Sequence, residues 1–233
     1  MFIRSSIGAL SLALQLVAAR PAQLNQRQTD CDDVHIFISR GSDEDYPGRQ
    51  ISIVDAVCAD ITSCGYEDII YPATLDDYCD SVYAGVTNGT AQITAYSESC
   101  PDSILVMTGY SQGAQVVGDI LGGGGGDFGD CIQPESPALS PDSAPGSKII
   151  ATFFGDVRHV ANQTYNTGTG TTENGIYPRN GTQLEDLNLY SDVLQSWCFQ
   201  GDPVCAGGVL IYKHLQYFDV YTDAAAAWIE SKL

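Results

Sequence analysis

The chain has 233 residues, of which 44% are hydrophobic and 17% are charged, with 24 glycines and 8 cysteines. This length and composition indicate one globular domain that buries a core without help from a metal or a partner, and they exclude a disordered chain. Ten Lys and Arg residues against 29 Asp and Glu residues give a formal charge of −19 at pH 7. Because so acidic a chain lacks a basic surface for phosphate groups, we expect neither nucleic acid nor anionic membranes as partners.

The N-terminus has the pattern of a secretory signal. Arg4 precedes an apolar run over 7–19 that ends in small residues, and the run is too short to remain as a membrane anchor. We therefore predict a signal peptide over 1–19, an N-terminal arm or short propeptide over 20–30 and a single folded domain over 31–233. An even number of cysteines fits this prediction of a secreted, extracellular protein.

Strand-like and helix-like segments alternate along the chain. Apolar, β-branched runs predict strands over 34–39, 66–71, 104–108, 148–154 and 194–199, the last of which also fits a helix. Apolar residues at helical spacing predict helices over about 50–61, 77–97, 113–121 and 215–232. This alternation predicts an α/β fold with a central parallel five-stranded sheet and helices on both faces. The glycine run 122–126 and the segment 165–183 are predicted to be irregular, with the glycines allowing a tight turn.

The segment Gly109-Tyr110-Ser111-Gln112-Gly113 carries the sharpest chemical signal. It follows an apolar strand and opens an amphipathic helix, which is the context of a nucleophile elbow; without that context the pattern would indicate only a turn rich in small residues. An elbow holds its serine in a strained turn where flanking side chains would collide with neighbouring backbone, so it requires glycines. Ser111 is therefore the predicted nucleophile, and the amide of Gln112 at the helix start can face an oxyanion.

A serine hydroxyl needs a base to remove its proton, and after a nucleophile elbow the acid and then the histidine follow in the chain. Only three histidines are present. His35 lies inside the first predicted strand and precedes Ser111, so we predict a structural role for it. His159 follows the fourth predicted strand and remains a competitor. His214, which lies just before the last predicted helix, is the predicted base.

Asp202 is the predicted partner of His214. It lies between Cys198 and Cys205, and a disulfide between these cysteines would close a small loop around the carboxylate and fix its direction. The alternative interpretation makes Asp202 an Asp-Pro turn residue and His214 an exposed helix cap. Chain order, placement and the flanking cysteines favour the catalytic interpretation.

These segments together resemble the fungal cutinase and acetylxylan esterase family. The resemblance rests on residues 40–42 (Arg-Gly-Ser), 109–113, 202–205 (Asp-Pro-Val-Cys) and 214–215 (His-Leu), and it extends from Cys31 to the last helix. It implies a secreted serine esterase with a small α/β-hydrolase fold and no large lid. The mechanism of such enzymes needs no metal or organic cofactor, and we expect a monomer.

The resemblance also carries residue roles. It assigns Ser111, Asp202 and His214 as nucleophile, acid and base, in agreement with the choice made from the residues themselves. It further implies that Ser42 contributes its amide and hydroxyl to an oxyanion hole, together with the amide of Gln112.

The cysteines fit disulfides better than a metal site, because they are scattered and form no C-x-x-C pair. The resemblance implies the bridges Cys31–Cys100 and Cys198–Cys205. Three pairings are then possible for the other four cysteines, which are Cys58, Cys64, Cys79 and Cys131. Proximity weakly favours Cys58 with Cys64 and Cys79 with Cys131.

The substrate is expected to be an ester, polymeric or small. Val209, Leu210, Ile211 and Leu215 flank the predicted base and are expected to border the serine, which would suit an acyl chain or a cutin-like polyester, unless they pack in the core. The extra cysteines and the Asp-Pro-x-Cys segment are more similar to acetylxylan esterases, so removal of acetyl groups from xylan is the alternative. A further alternative is a catalytically silent binding or elicitor module on the same scaffold.

Secretion gives meaning to three glycosylation sequons. They begin at Asn88, Asn162 and Asn180, and each can carry a glycan where it lies on the surface. We expect one or two of them to be used.

Overall fold

The apolar runs of the sequence form the strands at the centre of the fold. The computed structural model describes residues 31–233. Its strands are β1 (Val34–Ser39), β2 (Cys64–Asp68), β3 (Ile104–Tyr110), β4 (Gly124–Asp127), β5 (Ile132–Ser136), β6 (Ile149–Phe154), β7 (Asn166–Gly168) and β8 (Leu194–Cys198). Its helices are α1 (Ile51–Cys58), α2 (Tyr78–Ser99), α3 (Gln112–Gly122), α4 (Gly181–Asn188), α5 (Ile211–Leu215), α6 (Tyr217–Val220) and α7 (Thr222–Glu230). The signal peptide predicted over 1–19 and the arm predicted over 20–30 lie outside the described residues.

Six of these strands form one parallel sheet in the order β2-β1-β3-β6-β8-β7. A parallel sheet with helices on both faces was predicted, and the segment over 194–199 is a strand rather than a helix. The sequence predicted five strands, one fewer than the parallel sheet contains. The sixth, β7, consists of Asn-Thr-Gly and pairs with the edge of β8. Backbone hydrogen bonds hold so short an edge strand, and they leave no apolar pattern in its sequence.

Alternation of side chains along the central strands builds two cores, one on each face of the sheet. On one face Phe37 and Met107 belong to a buried cluster with side chains of α2 and α3. On the other face Ile36 and Val106 belong to a cluster with side chains of α1 and α7. Because both faces are covered, the central strands are continuous apolar runs, which is why the sequence located them well.

The glycine run 122–126 is not irregular, contrary to the prediction. Most of it lies in β4, which pairs antiparallel with β5. A Cβ on Gly124 would lie 2.6 Å from Oγ of Ser136, and a Cβ on Gly125 would lie 2.7 Å from Cα of Glu135. The glycines therefore permit close approach of a second strand, a tertiary contact that local composition does not report.

Two helical predictions also differ from the structure. The helix predicted over 215–232 is broken into α5, α6 and α7, with breaks at Gln216 and Tyr221. The segment around the first break carries His214 and Tyr217, whose contacts are described below. Helix α4 begins inside the segment predicted to be irregular; its one fully buried residue is Leu187, so its apolar pattern is weak.

Four disulfides link the described residues, namely Cys31–Cys100, Cys58–Cys64, Cys79–Cys131 and Cys198–Cys205. The first ties the segment before β1 to the segment before β3, and the third ties the first turn of α2 to the β4–β5 hairpin. Cross-links of this kind stabilise a fold mainly by restricting the unfolded chain. Across residues 31–233, no helix has the length and hydropathy needed to cross a membrane.

A buried cluster of four charges lies between α3 and the β4–β5 hairpin. Asp119 of α3 accepts hydrogen bonds from Arg158 at 3.0 Å and from Arg179 at 3.1 Å, and Asp156 pairs with Arg179 at 2.5 Å. Gln133 of β5 donates to the other oxygen of Asp119 at 3.0 Å. The two positive and two negative charges balance, which is a condition for burying them. The cluster therefore fixes α3, the hairpin and the two arginine-bearing loops in one arrangement.

We predict that Asp119→Asn lowers the free energy of unfolding by about 3 kcal/mol, because two buried guanidinium groups lose the carboxylate they share. Urea unfolding followed by tryptophan fluorescence measures the change. Asp55→Asn, on the exposed side of α1, is the matched control and should leave the stability unaltered. Equal stability of the two variants would contradict the role given to the cluster.

Candidate active site

Ser111 lies in the sharp turn between β3 and α3. Its φ is +54°, a left-handed value that is rare and costly for a residue other than glycine. A Cβ on Gly113 would collide with the carbonyl oxygen of Ser39, and a Cβ on Gly109 would collide with that of Gly113. The flanking glycines are therefore required because the backbone packs closely on both sides of the serine.

His214 connects Ser111 to Asp202. Its Nε2 lies 2.9 Å from Oγ of Ser111, and its Nδ1 lies 2.9 Å and 3.1 Å from the two carboxylate oxygens of Asp202. In the neutral imidazole, Nδ1–H donates to the carboxylate and Nε2 accepts from the serine hydroxyl. The structure thus brings together the three residues selected from the sequence. This arrangement can move a proton off Ser111 while the carboxylate stabilises the resulting imidazolium.

Asp202 is fully buried but amply hydrogen-bonded. Besides His214, its carboxylate accepts from the backbone N–H of Val204 at 2.6 Å and of Cys205 at 3.3 Å, and from the hydroxyl of Tyr217 at 2.6 Å. Burial alone raises the pKa of Asp202, but the hydrogen bonds and the charge of His214 outweigh it and hold the pKa below its usual value. Asp202 is therefore ionised at neutral pH, as its contact with the imidazole requires.

Tyr217 is a contributor that the sequence reasoning missed. Its side chain is fully buried, and its hydroxyl donates to Asp202 while accepting from the backbone N–H of Phe199 at 3.1 Å. Burial and the nearby charge of Asp202 raise the pKa of Tyr217 far above its usual value, so the hydroxyl keeps its proton and remains a donor. The available signal was a tyrosine three positions after His214, inside the single helix predicted over 215–232.

Tyr110 and Arg49 hold the segment that carries His214. The hydroxyl of Tyr110 donates to the carbonyl oxygen of His214 at 2.8 Å, and the two rings stack with centroids 5.1 Å apart. The guanidinium of Arg49 lies 5.6 Å from the ring centre of Tyr110 and reaches the carbonyl oxygen of Leu215 at 3.4 Å. Both contacts fix the imidazole against the end of β3.

Ser42 and Ser111 line the same cleft. The loop that carries Ser42 is held from its start by Arg40, which donates to the carbonyl oxygens of Glu44 at 2.7 Å and of Tyr71 at 2.9 Å. The N–H of Gly41 donates to the Glu44 carboxylate at 2.9 Å. The loop that follows β1 is therefore fixed close to the serine.

Gln112 is buried and begins helix α3. Its side-chain amide donates to the carbonyl oxygen of Thr74 at 2.9 Å and accepts from the hydroxyl of Ser81 at 3.0 Å. Its backbone N–H belongs to the first turn, which lacks acceptors inside the helix. The side chain thus has a structural role that the sequence did not reveal, and the backbone N–H is the group left to stabilise negative charge.

The cleft over Ser111 has a volume of about 420 Å³. Its apolar lining comes from Leu75, Val157, Ile176 and Val204, and its aromatic lining from Tyr78, Phe128 and Tyr177. Asp77 and Asp130 also line it, whereas no Lys or Arg among residues 31–233 does so. The cleft is therefore apolar with a negative rim.

The four aliphatic residues predicted to border the serine do not line this cleft. Val209 is 85% exposed, Leu210 40%, Ile211 61% and Leu215 47%. Core packing does not account for them either, because all four face solvent. Their backbone is held by bonds such as Leu210 N–H to the carbonyl oxygen of Gly201 at 2.9 Å, which leaves the side chains outside the cleft.

The other two histidines lie elsewhere. Nδ1 of His35 is 2.8 Å from the Asp32 carboxylate, and its buried ring stacks on Tyr96. His159 is buried beside Ser196, and desolvation lowers its pKa. His214 is thus the histidine that contacts Ser111. Among the described residues, no group of three His, Cys, Asp or Glu side chains is placed to hold a metal ion.

The sequence profile of the Cutinase family matches residues 30–233. The chain belongs to the cutinase family. An acetylxylan esterase of Hypocrea jecorina is 32% identical over 212 residues, covering 87% of this chain and 68% of that protein. Cutinase 11 of Verticillium dahliae is 29% identical and covers 97% of this chain and 76% of its own.

Solved structures agree with this assignment. The catalytic core domain of acetyl xylan esterase from Trichoderma reesei superposes with a TM-score of 0.77 at 31% identity, covering 88% of this chain and all of that domain. The fold is thus the cutinase-like α/β-hydrolase fold, and the cutinase-family chain is a serine ester hydrolase.

We predict that Tyr217→Phe lowers kcat on p-nitrophenyl acetate about tenfold with little change in KM, because Asp202 loses a donor that fixes its direction while the cleft stays intact. The matched control is Tyr190→Phe, which removes another buried hydroxyl, donated to the carbonyl oxygen of Leu139 at 2.8 Å. That variant should lose stability but keep its kcat. An equal fall of kcat in both variants would contradict a specific role for the Tyr217 hydroxyl in orienting Asp202.

Proposed function

We propose that Ser111, His214 and Asp202 catalyse ester hydrolysis by two-step acyl transfer. The observation that carries this proposal is the continuous hydrogen-bond chain from Oγ of Ser111 through His214 to Asp202. His214 takes the hydroxyl proton as Oγ attacks the ester carbonyl carbon, and Asp202 stabilises the imidazolium. The C–O bond to the alcohol then breaks, and the alcohol leaves with the proton from His214. Water attacks the acyl-enzyme by the same route and releases the acid.

Ser42 and Gln112 are proposed to stabilise the tetrahedral oxyanion. The fixed loop that carries Ser42 and the position of Gln112 at the start of α3 support this role, because donors held in advance need no reorganisation during the reaction. In other enzymes the loss of one such donor raises the barrier by about 2.7 to 4 kcal/mol.

The proposed substrates are short acyl esters on a neutral plant polymer, with acetyl groups on xylan as the first case. The relative and the solved structure named above as acetylxylan esterases support this choice. The charge of the cleft supports a neutral substrate as well, because Asp77 and Asp130 at its rim disfavour an anion. The same carboxylates repel the acid product, whose charge appears only after hydrolysis.

A cutin-like polyester is the second candidate substrate. It is favoured by the exposed aliphatic residues Val209, Leu210, Ile211 and Leu215, which lie on the segment that carries His214. A relative named as a cutinase also supports it.

The proposal also covers the cellular compartment, the oligomeric state and the glycosylation of the protein. We infer that the protein is secreted without a membrane anchor, as the sequence pattern of residues 1–19 indicates. We also infer a monomer, since one chain supplies the whole proposed catalytic set. All three sequon asparagines are exposed. Asn162 is the proposed glycan site, because Asn180 lines a cavity beside the cleft of Ser111. The side-chain amide of Asn88 is already donated to the carbonyl oxygen of Ile70 at 2.6 Å, which disfavours it.

We predict that Ser111→Ala lowers kcat on p-nitrophenyl acetate on the order of 10⁶-fold, because the acyl-enzyme cannot form. Thermal unfolding should show an intact fold, and a fluorophosphonate probe should label the wild-type chain but not this variant. Ser99→Ala, at the exposed end of α2, is the control and should hydrolyse and label normally. Undiminished turnover by Ser111→Ala would contradict the assignment of Ser111 as the nucleophile.

We predict that kcat/KM falls about tenfold from p-nitrophenyl acetate to the octanoate ester, because a chain that extends past the apolar cleft would desolvate the carboxylates of Asp77 and Asp130 at its rim. Rates of alkaline hydrolysis of the same esters correct for their intrinsic reactivity. A kcat/KM that rises towards octanoate would instead favour the polyester candidate.

A further inference from the structure

A second, larger cavity adjoins the cleft of Ser111. It has a volume of about 720 Å³ and is bounded by β4, by the segment after β5 and by the first turns of α4. Phe128, Ile176 and Tyr177 line both cavities, so these residues form a shared wall. A ligand that passes over this wall would be in contact with both cavities at once. We call the larger cavity the hairpin groove.

Contacts within the protein hold the lining of the hairpin groove in place without a ligand. Oε1 of Gln183 in α4 accepts a hydrogen bond from the guanidinium of Arg158. Nε2 of the same side chain donates to the carbonyl oxygen of Gly125 at 3.1 Å. Arg158 is in turn paired with Asp119 in the buried charge cluster. The shared wall is stiffened by the rings of Phe128 and Tyr177, which meet edge to face with centroids 5.1 Å apart. A site that is already ordered loses little entropy on binding.

The chemistry of the lining indicates the class of ligand. Asp127, Glu135 and Asp186 present carboxylates, and Asn180 adds a side-chain amide. The positive charge of Arg158 is neutralised by Asp119, so the groove disfavours anions. The glycines of β4 place no side chain over the groove, which leaves backbone close to a ligand. Carboxylates and amides without a free cation disfavour an anionic ligand and can accept hydrogen bonds from a ligand with many hydroxyl donors.

We infer that the hairpin groove binds the backbone of a neutral polysaccharide next to the unit whose ester lies at Ser111. Hydroxyls of the chain donate to the carboxylates, and Tyr177 supplies an apolar ring at the crossing between groove and cleft. This inference rests on the proposed function and adds to it a binding site separate from the reacting atoms. Small esters use the cleft alone, whereas a polymer uses both cavities.

Thr182 provides the test. It lies exposed in the first turn of α4, lines the groove and completes the sequon at Asn180. Thr182→Trp fills the groove and abolishes the sequon, whereas Thr182→Ala abolishes the sequon without filling the groove. The pair therefore separates blockage of the groove from loss of a glycan. The readout is the ratio of kcat/KM on acetylated xylan to kcat/KM on p-nitrophenyl acetate.

We expect the ratio to fall about tenfold in Thr182→Trp and to stay at the wild-type value or rise in Thr182→Ala. Asp186→Trp fills the groove from the next turn of the same helix and should give the same fall if Thr182→Trp does not fold. In the Thr182→Ala protein, xylohexaose should inhibit hydrolysis of acetylated xylan, and polygalacturonate should not.

The outcomes distinguish this inference from the proposed function. An unchanged kcat/KM ratio in both tryptophan variants, or no inhibition by xylohexaose, would overturn the inference that the groove binds polysaccharide. Either result would leave the esterase proposal in place. A wild-type protein that hydrolyses p-nitrophenyl acetate but not acetylated xylan would also overturn it. A wild-type protein that hydrolyses neither ester would instead overturn the proposed function.

Discussion

Close backbone packing around the turn at Ser111 is the constraint on which the site depends. β3 lies between β1 and β6 in the sheet, and the turn after it fits only because Gly109 and Gly113 lack side chains. The loops that follow the neighbouring strands then converge on the same edge, as parallel strands require. Ser42 follows β1 and Asp202 follows β8. Gly155, directly after β6, leaves room for the ring of His214, since a Cβ there would lie 2.7 Å from Cε1 of the imidazole.

The second requirement is a carboxylate that can be buried and still keep its charge. Asp202 meets it with donors from three sources: the base, the backbone of its own loop and the hydroxyl of Tyr217. An ionised carboxylate without these partners would be too costly to bury. His214 and Tyr217 both reach Asp202 from one short stretch of chain, on either side of the break between α5 and α6.

The sequence predicted those features that leave a local pattern. The buried strands gave continuous apolar runs, and Ser111 was recognised from glycines whose spacing a tight turn demands. Features held by partners distant in the chain were missed. The strand β7 is held by backbone hydrogen bonds, the glycine hairpin by the fit of β5 against it, and the charge cluster by residues from three separate segments. The aliphatic segment near His214 was placed at the serine from proximity in sequence, but proximity does not determine which way side chains point.

The disulfide Cys79–Cys131 bears on how the substrate preference of the cleft can evolve. Cys131 lines the cleft and is bonded to Cys79 in the first turn of α2, so the neighbouring positions Phe128 and Asp130 lie on a wall that is covalently anchored. A substitution at the exposed Asp130 alters what an incoming molecule meets without releasing the wall itself. Holding the cleft and choosing its substrate are thus separate tasks for separate residues. A scaffold built in this way can acquire new preferences by a few side-chain replacements while its catalytic geometry is inherited unchanged.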